Sequence, residues 1–245
     1  MMTEQQLQQA LKDRSFRYYP QVDSTQDIAL AWLRDGAEAG AAVICDEQLK
    51  GRGRQGRVWH TPPGVALALS VILKPIPSGM KHITMLGALA IADMLDSLGM
   101  QDVTIKWPND VRLQGRKVCG VLPEAAWDGD RLLGVALGMG VNVRVDFTGT
   151  DLEHTAISIE PVLGRTVERV QLIQTLLQRV DFWAMRLGTP ELFEAWKSRL
   201  DTLGQMVVVN GISGRAEAVN RDGALLVRDG TGMLHTIIAG DILMT

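Results

Sequence analysis

The sequence predicts an α+β fold built on a mixed or antiparallel sheet, with a small all-β unit at the C-terminus. Predicted strands cluster behind single helices instead of alternating with them, which argues against a doubly wound parallel sheet. The best helical pattern of the first half, Lys81 to Leu98, stands alone between strand-like stretches. From Gln205 onward the pattern changes to short strands broken by the turn dipeptides Asn210-Gly211, Asp222-Gly223 and Asp229-Gly230, as in a small β-barrel of about 40 residues.

Taken in order, period and punctuation predict a short helix at Thr3 to Leu11, a strand at Phe16 to Tyr19 and a helix at Thr25 to Arg34. A strand at Ala41 to Asp46 leads into a glycine-arginine loop. The breaker Thr61-Pro62-Pro63-Gly64 then precedes an apolar strand, Val65 to Leu73. In the helix that follows, Met85, Leu89, Ala92 and Leu95 share one face, and Gly99 closes it. Val103 to Lys106 is a strand interrupted by Trp107-Pro108-Asn109-Asp110, and Val111 to Leu113 resumes it before the turn Gln114-Gly115. Lys117 to Trp127 and Arg131 to Val143, joined by Asp128-Gly129-Asp130, form an antiparallel hairpin. Two helices follow, Thr166 to Arg186 and Pro190 to Leu200, the second with proline at its first position. The predicted domains are 1–200 and 203–245, and the second is too small to stand alone, so it is expected to dock on the first.

A chain of 245 residues with 46% hydrophobic content can fill a real core, and 22% charge with a net charge of −3 excludes a disordered or strongly basic nucleic-acid binder. Cys45 and Cys119 lie in apolar stretches without metal spacing, and read as free buried thiols of a reducing compartment. No signal-peptide pattern opens the chain, and the run Val65 to Leu73 is far short of the roughly 20 residues a membrane span needs. A cytoplasmic protein with no membrane partner is expected. His60, His82, His154 and His235 show no paired spacing, so no metal site is expected.

The loop Gly51-Arg52-Gly53-Arg54-Gln55-Gly56-Arg57 lies in a tract, Gln48 to Ala92, without one Asp or Glu. Its arginines lack a local counterion and are expected to meet an anion from outside. The glycine spacing matches a dinucleotide fingerprint, but Val58-Trp59-His60-Thr61-Pro62-Pro63-Gly64 follows where a helix is required, and the later acidic residue is missing. A Walker loop would end in Gly-Lys-Ser/Thr, and this one does not. An RG-type RNA-binding segment and a plain solvated turn remain as alternatives. Guanidinium groups that stay ionised, on a backbone that permits close approach, suit a phosphate or carboxylate. A loop able to close over its ligand would also keep water from a hydrolysable intermediate.

Lys106-Trp107-Pro108-Asn109-Asp110 fixes a second cation at the rim of a sheet. Together the two segments resemble the signature motifs of biotin protein ligases. The resemblance continues through Gly115-Arg116-Lys117-Val118-Cys119-Gly120-Val121-Leu122, Gly138-Met139-Gly140-Val141-Asn142-Val143 and Asp222-Gly223-Ala224-Leu225-Leu226-Val227, covering about Tyr18 to Asp241. It implies a catalytic domain of the class II aminoacyl-tRNA-synthetase-like, biotin/lipoate ligase type with a C-terminal SH3-like barrel. The implied reaction has two steps: biotin and MgATP give biotinyl-adenylate, and a lysine of a biotin carboxyl carrier protein then takes the biotin.

By the same resemblance Lys106 and Arg54 are the catalytic candidates. Ser24, Thr25, Gln26, Gln48, Arg52, Gly53, Arg54 and Lys106 are the expected biotin contacts, although Gln26 stands where the family more often has asparagine. Gly51, Arg57, Trp59, Asn109 and Asn142 are the expected contacts to ATP or adenylate, with Mg2+ held mainly by the ATP phosphates. Ser24-x-x-Asp27 also reads, on its own residues, as a helix capping box. About twenty residues precede Ser24, too few for the DNA-binding domain of regulatory relatives, so no DNA partner or repressor role is expected; a homodimer stays open. A lipoate or octanoate ligase of the same fold is the near alternative, and a non-enzymatic biotin-binding module the distant one.

Overall fold

The computed structural model describes residues 1–74 and 77–244. Thr3 opens the first helix, α1 (Glu4–Leu11), with a capping box: its hydroxyl accepts from the Gln6 N–H while the Gln6 side chain accepts from the Thr3 N–H. Leu7 and Leu11, four residues apart, form its buried stripe.

Seven strands make the main sheet: β1 (Phe16–Val22), β2 (Ala42–Gln48), β3 (Ala66–Leu73), β4 (Val103–Lys106), β5 (Asp110–Leu113), β6 (Arg116–Asp128) and β7 (Arg131–Asn142). Their spatial order is β1-β2-β3-β7-β6-β5-β4. The first two strands run parallel because helix α2 (Thr25–Arg34) carries the chain back between them. All other neighbours are antiparallel, so the sheet is mixed, as the sequence predicts. All eight residues of β3 are buried, since both faces of the sheet are covered there.

On one face Ala29 and Leu33 of α2 pack on Val43, Ile72 and Ala136. The opposite face carries α3 (Ile83–Ser97), α5 (Arg169–Ala184) and α6 (Pro190–Ser198); a short helix α4 (Ile159–Leu163), absent from the sequence expectation, leads toward α5. Helix α3 buries 11 of its 15 residues instead of a single face. A helix apolar all round is a central helix, and this one sits between the sheet and the α5 and α6 helices, within one continuous core.

The remaining strands, β8 (Met206–Val209), β9 (Ile212–Val219), β10 (Leu225–Asp229), β11 (Leu234–Ile237) and β12 (Leu243–Met244), form a five-stranded antiparallel sheet in the order β11-β10-β9-β8-β12. It docks as expected, and its Val207, Leu225 and Val227 join the core of the larger domain. The joint is polar at its edge: the Trp107 indole N–H donates to the Gly223 carbonyl at 2.8 Å, Lys81 pairs with Asp222 at 3.0 Å, and the His82 ring bonds the Arg221 carbonyl.

Candidate active site

Strand β7 builds the floor of the site by simple alternation. Val135, Leu137, Met139 and Val141 belong to the main core, while Gly138, Gly140 and Asn142 between them line a cavity of about 430 Å³ on the opposite face. The glycines create the space. A Cβ at Gly140 would lie 2.3 Å from the Trp59 indole nitrogen, and one at Gly138 would lie 2.8 Å from Oε1 of Gln26. Trp59 therefore lies directly on the sheet, and its own N–H is buried without a hydrogen-bond partner.

The start of α2 supplies an uncharged polar sector. Ser24 caps the helix by accepting from the Gln26 N–H. The expected capping box is not completed, because Asp27 turns away to pair with Arg52 at 2.7 Å. The Thr25 N–H donates to Oε1 of Gln48 at 2.9 Å, and Gln48 donates in turn to the Thr61 hydroxyl at 3.2 Å. Gln26 is buried, donating to the Leu122 and Ala136 carbonyls at 2.9 Å each and accepting from Ser70 at 2.7 Å. Both of its amide hydrogens are thus used inside the protein, which argues against the donor contact to biotin that the family pattern suggests.

The arginine loop forms a short turn. Gly53 N–H donates to the Arg57 carbonyl at 2.7 Å and Trp59 N–H to the Gly51 carbonyl at 2.9 Å, with Gln55 at φ 55° and Gly56 at φ 74° between them. The arginines have no local counterion, as read, but Arg52 and Arg57 are not free for an outside anion as expected, because acids arrive from other parts of the chain. Arg52 pairs with Asp27 and with Glu124 of β6, the latter at 3.2 Å, and Arg57 pairs with Asp241 of the C-terminal unit. Arg54 donates to the Asn109 side chain at 2.9 Å and to the Gly240 carbonyl at 3.1 Å.

Lys106 ends β4, directly opposite Asp110. The strand is clamped on both sides of it: Ile105 N–H donates to the Arg199 carbonyl at 2.8 Å, and Trp107 N–H donates to the Thr202 hydroxyl at 2.9 Å. Burial pushes the Lys106 ammonium below the ordinary lysine range; Asp110 opposes that shift and Arg112 reinforces it. Asp110 itself is paired with Lys117 at 2.7 Å, and Lys117 lies over the Trp59 ring at 5.6 Å. Lys106 makes no ion pair among the described residues.

The cavity brings together Ser24, Thr25, Gln26, Gln48, Arg52, Gly53, Arg54, Arg57, Trp59, Lys106, Asn109 and Asn142. Gly51 is not on its wall; a Cβ there would meet the Trp59 carbonyl at 2.3 Å, so the turn itself requires glycine at this position. Asn109 and Asn142 donate to protein carbonyls, Val121 at 2.7 Å and Ile157 at 3.2 Å respectively, and so tie wall segments together. Sequence reasoning missed Ser70, Lys117 and Asp241, together with Phe147 and His154 from the loop after β7, all of which line the cavity. Ser70 carries a signal, as the one polar residue in Ala66-Leu67-Ala68-Leu69-Ser70-Val71-Ile72-Leu73; Asp241 carries none. Among the described residues no group of three or more His, Cys, Asp or Glu is assembled as a metal would require, and no helix is long and apolar enough to cross a membrane.

Comparison with known proteins places this geometry. The model of the biotin/lipoate A/B protein ligase family matches residues 18–142, and that of the biotin protein ligase C terminal domain matches residues 202–244. The bifunctional ligase/repressor BirA of Bacillus subtilis (strain 168) is 31% identical over 237 residues, spanning 92% of this chain and 72% of that protein. The biotin–(acetyl-CoA-carboxylase) ligase of Paracoccus denitrificans is 32% identical over 227 residues, spanning 86% and 92%. Among solved structures, the biotin protein ligase from Aquifex aeolicus in complex with biotin and ATP superposes with a TM-score of 0.81 at 25% identity, covering 94% of this chain and 98% of that one. With a family model across half its length and relatives above 30% identity, the chain belongs to the biotin/lipoate A/B protein ligase family.

Proposed function

We propose that the protein is a biotin protein ligase. One observation carries the proposal: a single cavity joins an uncharged hydrogen-bonding sector, Ser24, Thr25 and Gln48, to a cationic one, Lys106, Lys117 and the arginine loop. The first suits a neutral polar ring and the second suits a carboxylate meeting a triphosphate. The Aquifex aeolicus neighbour was solved with biotin and ATP, which supports that division.

In the first step a carboxylate oxygen of biotin attacks the α-phosphorus of MgATP. A P–O bond forms, the α–β bridging P–O bond breaks, and pyrophosphate leaves with the electron pair, with Mg2+ held by the ATP phosphates. Two anions must approach each other, and fixed cations offset that repulsion without reorganising at the moment of reaction. Lys106 acts on the carboxylate and the α-phosphate oxygens from its clamped strand; Arg52 and Arg54 close on biotin and adenylate; Arg57 supports the phosphates; Trp59 covers the ligand. In the second step the amine of a carrier lysine attacks the mixed-anhydride carbonyl. An amide forms, AMP leaves, and the amine loses its proton. The partner is a biotin carboxyl carrier domain.

The decisive assay incubates the protein with MgATP, a carrier domain and either biotin, lipoate or octanoate, and weighs the carrier by mass spectrometry. A mass gain of one biotinyl group with biotin alone is expected. Gain with lipoate or octanoate instead would move the assignment to the sister ligases, and no gain with ATP intact would leave a binding module.

A further inference from the structure

Beneath the polar sector lies a buried chain of hydrogen bonds whose direction is fixed by its far end. Nε2 of Gln26 sits 2.9 Å from both the Leu122 and Ala136 carbonyls. Two acceptors on one side dictate the amide orientation, because the opposite flip would set oxygen against oxygen. Oε1 therefore faces Ser70, whose hydroxyl must donate to it at 2.7 Å. Ser70 has one hydrogen, now used, so at 2.9 Å it can only accept from the Thr25 hydroxyl. The reverse direction would press two lone pairs together between Ser70 and Gln26. Oε1 of Gln48, at 3.1 Å, is a second and longer acceptor for the same hydroxyl, so the Thr25 proton is consumed inside the protein and its oxygen turns only lone pairs toward a ligand. Ser24 beside it has the opposite polarity: its oxygen accepts from the Gln26 N–H at 3.3 Å, and its own hydrogen has no acceptor among the described residues.

We propose that Gln26 and Ser70 are positioning residues that, with Gln48 as the second acceptor, set the hydroxyl polarity of the biotin sector, making Thr25 an obligatory acceptor next to the Ser24 donor. Such a pair fits a ligand bearing a carbonyl and an N–H on adjacent atoms, as a cyclic urea does, and rejects rings that offer only acceptors. The proposal rests on the biotin ligase assignment and gives Gln26 a role without ligand contact. Glutamine at this position reaches under the sheet glycine Gly138, where a Cβ would come within 2.8 Å of Oε1.

The test compares biotin with its cyclic-carbonate analogue, in which both ring N–H groups are replaced by oxygen, in acid-dependent ATP–pyrophosphate exchange. The wild type is expected to favour the urea in kcat/KM through KM, with similar kcat for both acids. In Ser70→Ala only the longer contact to Gln48, on an oxygen already shared with the Thr25 N–H, still holds the Thr25 proton, so the hydroxyl can turn and donate to a ligand and the urea-to-carbonate ratio is expected to fall by about tenfold. Gln26→Met removes the acceptor that orients Ser70 and should lower the ratio in the same way. Each ratio is internal to one variant, so a smaller active fraction cancels. An unchanged ratio in either folded variant overturns the proposal, as does a wild type that uses both acids equally. Absence of any biotin-dependent exchange by the wild type would instead sink the ligase assignment.

Discussion

Exchanging Lys106 for methionine separates catalysis from stability, because the structure makes the two respond with opposite signs. The side chain is half-buried, its ammonium is disfavoured by burial, and it has no ion-pair partner among the described residues. Methionine keeps a linear stem in the same space and removes the buried charge, so resistance to urea is expected to hold or rise. Losing a fixed electrostatic donor to the reacting groups costs about 3 to 4 kcal/mol. At about 1.4 kcal/mol per decade this is roughly a 10²- to 10³-fold loss of biotin-dependent ATP–pyrophosphate exchange. The pH dependence has a definite sign. The lowered folded pKa neutralises Lys106 earlier than an ordinary lysine as pH rises, so the alkaline limb of the exchange profile lies below the usual lysine range, and Lys106→Arg moves it upward. The unfolded chain binds this proton more tightly, so between the folded pKa and about 10.4 the wild type gains stability with rising pH, and the methionine variant lacks that gain. Exchange within about tenfold of wild type in a folded Lys106→Met protein would refute the role assigned to the ammonium.

Gly140→Ala places a methyl group 2.3 Å from the Trp59 indole nitrogen, which overpacks the floor by about 1 to 3 kcal/mol or expels the ring. The KM for ATP is expected to rise more than the KM for biotin, and an equal rise in both would contradict the placing of Trp59 on the nucleotide side. Arg169→Leu strands the fully buried carboxylate of Asp46, which sits 2.7 Å from the guanidinium and also accepts from the Tyr18 hydroxyl. Urea unfolding should show a loss of about 3 to 5 kcal/mol, largely recovered when Asp46→Asn is added; a single change costing under about 1 kcal/mol would show that the pair is not desolvated as described.

Much of the fold was legible because its signals are local. Asn210-Gly211 and Asp229-Gly230 do mark turns, and residues 25–34 form the predicted helix to the residue. Helix α3 was legible from the face of Met85, Leu89, Ala92 and Leu95, all buried, but the burial of its other faces was not, since which helix is central depends on what packs around it and not on its own period. The site divided the same way. Arginine loop and Lys106 could be read as cations from their residues, and the cavity does gather them. Their partners could not, because Glu124 and Asp241 lie 72 and 184 residues from the arginines they meet. The motif marks Gly51 as a glycine of the loop, and only coordinates reveal that the Trp59 carbonyl occupies the space a side chain would need. Cys45 and Cys119 are both buried as free thiols, and burial pushes Cys45 to about 12, which leaves neither nucleophilic at neutral pH.

The ties between the arginine loop and its own acids make the resting site largely self-neutralised. Arg52, Arg57 and Lys117 each carry a carboxylate, and Arg54 is held by the Asn109 side chain and a main-chain carbonyl. At these three cations a polyphosphate exchanges counterions instead of finding bare charge, so Arg52, Arg57 and Lys117 each contribute only the difference between two charge-assisted bonds. Simple anions of the surrounding solution, too small to displace several carboxylates at once, gain little there. Selectivity for a large, multiply charged ligand thus arises before any shape is matched, from the need to break several internal ion pairs together.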